Sequence, residues 1–377
     1  MLQGHHHHFW WKLIPGKEMN QIYLSVALRS FALSLISLFV PMYLYSELGY
    51  SLQETLAFYI IFSVTLAVTS PFAAKFASKF GLKHSILLSV PFQVAYFYLL
   101  YQLASVSIPL GLIATLEGFA LAFFWMGMHL EFRKISHRGH RGEEVGKRQA
   151  VMILATLVGP LVGGTMIKFV GFGVVFIIAS IALLISAVFL FASKERHVKY
   201  HFSVKSLWSE SYFKNSLFFT YRGIWVMANA VLWPLFIFIT LNDYLSLGVI
   251  GTIAGLASAI LSLVMGKVSD TKINKRGIIR FVAPIEAITW FFRGFLTTFM
   301  GFLGISVLQS IVYGARAAPM GALVYDQAKG NPVEFFITRE IFISLGRVFV
   351  LSVILISVNY IPAFILVGLS SFAVFLF

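Results

Sequence analysis

The sequence predicts an all-α, polytopic membrane protein with twelve transmembrane helices in two related groups of six. Three observations predict it. Of 377 residues, 59% are hydrophobic and only 12% charged, against roughly 45–50% and about 25% in an ordinary soluble domain. Apolar stretches of the length a bilayer demands, about 20 residues, recur along the whole chain. The basic residues gather in every second connection between those stretches. With 39 phenylalanines and so little charge, the chain cannot build a water-facing surface. That excludes a soluble enzyme, a disordered chain and a nucleic-acid-binding domain, despite a net charge of +14. Cysteine is absent, so disulfide frameworks, thiolate metal sites and cysteine nucleophiles are excluded as well.

The elements follow in order. Residues 1–20 form a cytoplasmic N-terminal segment with no apolar h-region before a small-residue cleavage site, so the first span is expected to act as the targeting element. Its His5–His8 tract defines no metal geometry and is read as irrelevant to function. Lys12 and Lys17 precede span 1 (21–46), and Lys75, Lys79 and Lys83 lie between span 2 (53–74) and span 3 (84–104). Arg133, Lys134, Arg138, Arg141, Lys147 and Arg148 separate span 4 (108–130) from span 5 (149–168). Span 6 (173–193) begins after a glycine-containing break from Lys168 to Gly173. Lys194, Arg196, Lys199, Lys205 and Lys214 mark the long connection to span 7 (214–241). Span 8 (246–265) is followed by Lys267, Lys272, Lys275, Arg276 and Arg280.

Spans 9 (278–298) and 10 (303–325) come from one apolar run too long for a single crossing, with the break expected at Phe299-Met300-Gly301. Lys329 and Arg339 surround the connection to span 11 (335–357), and Asn359 to Pro362 divides that span from span 12 (361–377). By this count 23 of 29 basic residues lie on one side and only Lys168 on the other. Since Lys and Arg mark cytoplasmic loops, both termini are placed in the cytoplasm and the chain in the cell membrane.

The polar segment 194–213 divides the chain into an N-terminal bundle (21–193) and a C-terminal bundle (214–377), and an internal repeat relates them. Span 1 contains Arg29 and Pro41 and span 7 contains Arg222 and Pro234, with the same interval between arginine and proline in each. At almost the same offset, the connection Ala74 to His84 lines up with Gly266 to Arg276. Two matches at one offset point to repeated units.

The second of these connections resembles the signature of the major facilitator superfamily: Gly266, three residues, Asp270, then the basic Lys275 and Arg276. The first copy is degenerate, with Ala74 for the glycine and Ser78 for the aspartate. Gly159-Pro160-Leu-Val-Gly163-Gly164 is similar to the superfamily's glycine-rich fifth-helix motif. The resemblance implies two six-helix bundles about a pseudo-twofold axis along the membrane normal, with a central cavity lined by helices 1, 4, 7 and 10. It also implies a latch in which Asp270 meets a helix N-terminus of the other half, where partial positive charge favours an anion. Ser78 would give a weaker, neutral version as an oxygen acceptor. The glycines permit close helix approach, for packing or for gating.

Charges inside spans are costly and face a cavity or a partner. Each helix expected to line the cavity contributes one ionisable group: Arg29, Glu117, Arg222 and Arg316. Helical spacing adds Trp225, Asn229 and Trp233 to Arg222, Gln309 and Tyr313 to Arg316, and Phe124 and Trp125 to Glu117. An apolar wall with a few convergent polar groups suits a small molecule, and three arginines against one glutamate suit an anion. The other reading makes Arg29 and Arg222 structural, bonded to Glu117 or to helix carbonyls. Glu117 either neutralises an arginine or takes up a proton.

Arg339, Glu340 and Arg347 at the start of helix 11 read as a cytoplasmic gate, with snorkelling as the alternative for Arg339. Glu286 and Arg293 are expected to pair with each other on a peripheral helix, or to contact a neighbouring helix. His129 is expected to be an interfacial histidine.

No phosphate-binding loop, nucleophile elbow or intramembrane metal cluster occurs in the sequence. Neither nucleotide, nucleic acid nor cofactor is therefore expected as a partner. The expected function is secondary transport of a small anionic or amphipathic organic solute by alternating access, as a monomer in the lipid bilayer. The drive would be the solute's own gradient or protons. The alternatives are a receptor or scaffold on the same fold, or a membrane-embedded lipid-modifying enzyme.

Overall fold

A computed structural model describes residues 17–135, 151–191, 194–208, 210–268, 275–328 and 330–376. No strand occurs among them. α1 (Lys17–Ser34) continues after an irregular turn through Val40–Met42 and a π turn at Tyr43–Glu47. α2 (Leu52–Phe80), α3 (Leu82–Gln102) and α4 (Leu110–Ile135) follow, then α5 (Val151–Val170) and α6 (Phe172–Phe191). α7 (Glu210–Met227) passes through a π turn at Ala228–Leu232 into Trp233–Leu241. α8 (Tyr244–Val268), α9 (Lys275–Arg293), α10 (Phe299–Gln327) and α11 (Pro332–Ser357) lead to α12 (Tyr360–Ser370), which closes in a 3₁₀ turn at Ser371–Leu376.

Among the described residues nine helices are long and apolar enough to cross a membrane. Spans 1, 9 and 12 fall outside that set for physical reasons. α1 is broken before Val40, α9 carries Lys275, Arg276, Arg280, Glu286 and Arg293, and the last apolar helix, Tyr360–Leu376, is short.

The breaks trace to particular residues. Pro41 and Pro234 each sit in the first turn of a new helical piece, where the missing N–H and the ring interrupt the i→i−4 ladder. A π turn beside each takes up the irregularity, so the Arg-to-Pro interval repeated in the sequence becomes a repeated discontinuity in α1 and α7. Gly171, at φ +87°, divides α5 from α6. The break between α9 and α10 falls earlier than expected. Thr298 Oγ1 accepts from the Gly301 amide at 3.2 Å, which makes Phe299–Gly301 the first turn of α10.

Packing repeats as the elements do. α1 packs on α5 and α6 as α7 packs on α11 and α12, α2 on α4 as α8 on α10, and α3 on α4 and α6 as α9 on α10 and α12. The first six helices meet the last six through α2 on α11 and α5 on α8, contacts that a twofold exchange converts into one another. Glycine fixes the related contacts. A Cβ on Gly163 would lie 2.0 Å from the Leu35 carbonyl oxygen of α1's irregular turn, and one on Gly159 would overlap Ser34. On the other side α7 and α11 touch through Gly223 against the Ile343 carbonyl and Gly346 against the Thr220 carbonyl. Gly118 against Phe62 and Gly314 against Ser258 repeat the pattern, with the same interval along the chain separating the two glycines and their two partners.

The exterior is apolar. Phe72, Phe169, Phe281 and Met300 are exposed, and Ile356 is 85% exposed, while Arg29, Glu286, Arg293 and Arg316 are buried. Lipid as the outer solvent selects this inversion.

The connection after α6 is bound tightly across one end of the molecule, here called the linker end. Leu82 N donates to the Arg196 carbonyl at 2.8 Å, and Lys83 N to Glu195 Oε1 at 3.0 Å. Arg196 pairs with Glu131 at 2.6 Å and Lys134 Nζ donates to the His197 carbonyl at 2.6 Å. On the far side of the strap, Asn331, the N-cap of α11, donates to the His201 carbonyl at 2.9 Å.

Candidate functional site

A cavity of about 250 Å³ lies between the first six helices and the last six, towards the linker end. α4 gives it Trp125 and His129, α5 Met152, α7 Phe218, Phe219 and Arg222, α10 Tyr313, Arg316 and Tyr325, and α11 Arg339, Glu340 and Arg347. Its wall is aromatic and its ionisable groups are mostly guanidiniums. Tyr313 stacks on Trp225 with ring centroids 4.9 Å apart, and the guanidiniums of Arg316 and Arg222 lie 4.8 Å and 5.1 Å from the same indole. Cation–π contact of this kind orients a guanidinium without using up its N–H donors.

Arg316 is anchored from behind. Its Nη2 donates to Glu286 Oε1 at 2.7 Å, its Nη1 bonds the Tyr221 hydroxyl, and Tyr221 donates to Glu286 Oε2 at 2.8 Å. Gln309 completes the cluster, donating to Glu286 Oε1 at 3.1 Å and accepting from Thr289 at 2.6 Å. Several donors remain unsatisfied although buried: Arg222 Nη1, Arg316 Nε, Arg347 Nε and Nη1, and Trp225 Nε1. Buried donors are almost always paired; these orphans gather around one cavity, and further ones occur away from it on Arg29 and Arg293.

Towards the linker end the cavity is lined by a network around His129. Arg339 Nη1 donates to His129 Nε2 at 3.0 Å, which leaves Nδ1 as the protonated nitrogen facing the Tyr325 hydroxyl at 2.7 Å. Arg339 is ion-paired with Glu340, and His129 lies between the Trp125 and Phe336 rings. At the opposite end Tyr244 donates to Glu47 at 2.7 Å, and Lys168 pairs with Asp243 at 3.3 Å. Partial burial opposes ionisation of Asp243, but bonds from the Ser246 hydroxyl and amide and from Lys168 outweigh it and lower its pKa. Gly164 approaches the Tyr244 carbonyl at the same end.

Residues 22–245, more than half of the chain, match the Major Facilitator Superfamily. The chain belongs to the major facilitator superfamily. A solved structure of the human organic anion transporter MFSD10 (TETRAN) superposes with a TM-score of 0.68, covering 96% of this chain and all of the other at 11% identity, which shows the shared fold. Among curated sequences, the Bacillus subtilis (strain 168) protein named "Uncharacterized protein YqgE" is 25% identical over 275 residues. That match takes in 67% of this chain and 63% of YqgE, just under two thirds of the relative's length. A major facilitator fold with apolar membrane-length helices makes the chain an integral membrane protein.

Within this superfamily fold, the residues expected at the cavity separate into groups. Trp125, Arg222, Tyr313 and Arg316 line it, and Trp225 supports the two guanidiniums. Gln309 is one layer behind, held by Glu286 and Thr289. Asn229 is turned back on its own helix, its amide donating to the Trp225 carbonyl at 2.9 Å in the π turn. Arg29 and Glu117 are not on the wall. Arg29 Nη2 donates to Gln93 Oε1 at 3.3 Å, Gln93 donates to Glu117 at 2.5 Å, and Phe124 covers the guanidinium at 4.0 Å. They form a separate buried chain across α1, α3 and α4.

The gating residues also diverge from expectation. Arg339, Glu340 and Arg347, read from the sequence as a gate, line the cavity itself, joined by His129, which is buried rather than interfacial. Ser78 does not accept at a helix N-terminus. Its hydroxyl donates to the Val198 carbonyl of the strap at 2.5 Å. Gly159, Gly163, Gly164 and Pro160 pack α5 against α1 and α8, with Pro160 seated on Gly248 and Gly251. Gly266 is helical at the end of α8, and Asp270 lies outside the described residues.

Glu286 and Arg293 do not pair. Glu286 holds Arg316, and Arg293 stacks between Trp290 and Trp233 at 3.6 Å and 4.2 Å. Sequence reasoning missed Glu286, Tyr221, Gln93 and His129 as working parts. For Glu286 the available signal was a carboxylate within a span, a group that needs a partner wherever it sits.

Proposed function

We propose that the protein is a secondary transporter that moves a small, anionic or amphipathic organic solute by alternating access through the cavity between its two bundles. The observation that carries this reading is the set of orphaned guanidinium donors on an aromatic cavity wall. Guanidinium offers planar, fixed donors suited to carboxylate or phosphate oxygens, and the rings suit an apolar body. The reading takes residues 21–193 and 214–377 as the bundles that rock, with 194–213 connecting them. It keeps twelve spans, both termini in the cytoplasm, the cell membrane as location and a monomer as the working unit. Trp125, Trp225, Arg222, Tyr313 and Arg316 serve as the solute site, and His129, Arg339, Glu340 and Arg347 as the linker-end gate.

Glu117 is the proposed proton carrier. It is linked through Gln93 to Arg29, so its protonation would loosen contacts among three helices of the first bundle. Purified protein in liposomes preloaded with an unlabelled organic anion should accumulate the labelled anion by counterflow, and Arg316→Ala should abolish it. Binding without flux would favour a receptor on this fold. Glu117→Gln should leave counterflow intact and remove acceleration by an imposed pH gradient. Unchanged pH-driven uptake in that variant would exclude Glu117 as the coupling group.

A further inference from the structure

We propose that a cleft beneath the strap is an antechamber of the transport path, a basic vestibule that concentrates the anionic solute at the linker-end mouth of the central cavity. The proposal rests on reading that cavity as the transport site, and it adds a second site with residues of its own. The cleft has a volume of about 760 Å³. α4 lines it with Arg133 and Lys134, the strap with Val198, Lys199 and His201, and the start of α11 with Glu334. Its walls thus come from the first six helices, the last six and the connection between them.

Its position follows from the helices it shares with the cavity. On α4 His129 lines the cavity, and Arg133, one turn further on, lines the cleft. On α10 Tyr325 lines the cavity and Ala328 the cleft, and on α11 Glu334 lines the cleft and Arg339 the cavity. The two spaces are therefore stacked along the same three helices, with the cleft nearer the linker end. The His129–Tyr325 contact at 2.7 Å and the bond from Arg133 Nε to the Ala328 carbonyl at 3.3 Å lie at the partition.

The charge around the cleft is mostly of one sign. Lys134 Nζ donates to the His197 carbonyl at 2.6 Å, a neutral acceptor that positions the ammonium without cancelling its charge. Neither Lys134 nor Lys199 forms an ion pair among the described residues. Glu334 is the one carboxylate on the lining among the described residues, and it accepts from Asn331 at 2.8 Å. Topology alone brings basic residues to a cytoplasmic end. It does not require them to face a cleft between the two halves, over a cavity with guanidiniums on its wall. A concave wall of one sign raises the local concentration of the opposite ion and speeds its entry.

With no cysteine in the chain, single reporter cysteines measure this field without knowledge of the solute. Val198→Cys puts a thiol in the cleft, Met152→Cys one in the central cavity, and Val204→Cys one at an exposed position outside both. Purified full-length protein in nanodiscs of neutral lipid is treated with the anionic sulfonatoethyl or the cationic trimethylammonioethyl methanethiosulfonate. At about 10 mM ionic strength, where charges act over about 30 Å, the anionic-to-cationic rate ratio at Val198→Cys should exceed that at Val204→Cys about tenfold. The difference should vanish in about 1 M salt. Lys134→Gln combined with Lys199→Gln should lower the ratio at Val198→Cys and also at Met152→Cys, where neither lysine lines the wall. The corresponding arginine replacements should keep it. Either glutamine change alone should act in the same direction, so the test stands if the double variant does not fold.

Equal ratios at Val198→Cys and Val204→Cys would overturn the antechamber and leave anion transport, read by counterflow, standing. A glutamine effect at Val198→Cys that is absent at Met152→Cys would overturn it too, by placing the cleft off the path. A preference lost at Val198→Cys but not at Val204→Cys when anionic lipid is added would give the cleft to lipid headgroups, and would also overturn it. No reaction at Met152→Cys in protein whose denatured form reacts fully would close the cavity to water and overturn both readings.

Discussion

At the scale of single residues, the cavity chemistry was half legible. Arg222, Arg316, Tyr313 and Trp125 announce themselves as charged or aromatic groups at helical spacing in apolar spans, and they do meet at one cavity. Their partners did not show, because a helical period says which residues share a face but not which neighbour that face meets. Glu286 illustrates the limit. Seven residues from Arg293, it looked paired along α9, yet it is buried against α7 and α10, holding Tyr221, Gln309 and Arg316. Glu286→Gln should leave Arg316 buried without its counter-charge, a change worth about 3–5 kcal/mol of stability. Thermal unfolding in detergent should register it, and a double change with Arg316→Met should recover much of the loss. Unfolding as in the parent protein would show that the ion pair contributes little.

At the scale of elements, most boundaries were readable because they are made by residues with special backbone chemistry. Gly171 and Asn359 stop or start helices where turn formers were seen, and Pro41 and Pro234 interrupt α1 and α7. The misplaced break before α10 shows what composition hides: Phe299 and Met300 look like neutral filler, and only the Thr298 cap makes them helical. Asp243 does similar work for α8, accepting from the Ser246 amide at 2.8 Å. Asp243→Ala should cost about 1 kcal/mol through loss of that cap. Because the folded-state pKa of Asp243 is lowered, its contribution is complete above the unfolded value, about 3.9, and is lost as the pH falls through the folded value. The difference in stability between parent and variant should therefore be constant near neutrality and shrink below about pH 4. A difference that grows on acidification would contradict the assignment.

At the scale of the whole molecule, the expectation of two bundles came from one repeated interval and one repeated connection, and the helix contacts fall in matching pairs. What the sequence concealed is how the linker end is held. The expected latch centred on Asp270 and its degenerate counterpart at Ser78, but Ser78 turns to the strap, and the strap reaches α11. A connection that looked like a polar spacer instead bonds Ser78, Leu82, Lys83, Glu131 and Lys134 on one side and Asn331 on the other. With no cysteine in the chain, the join can be tested cleanly. His201 Nδ1 lies 3.9 Å from Glu334 Oε2, so a short, reducible bifunctional thiol reagent, which spans more than a direct disulfide can, should bridge His201→Cys and Glu334→Cys. Uptake should then stop and return on reduction, whereas uptake unaffected by the crosslink would show that this contact never parts. Mechanically, the strap is one stitch in a shared seam. It is sewn along one bundle and tacked to the other near a single helix start, beside the contacts of His129 with Tyr325 and Arg339 that cross the same join. Holding the linker end together is thus divided between a surface tack and a buried aromatic cluster.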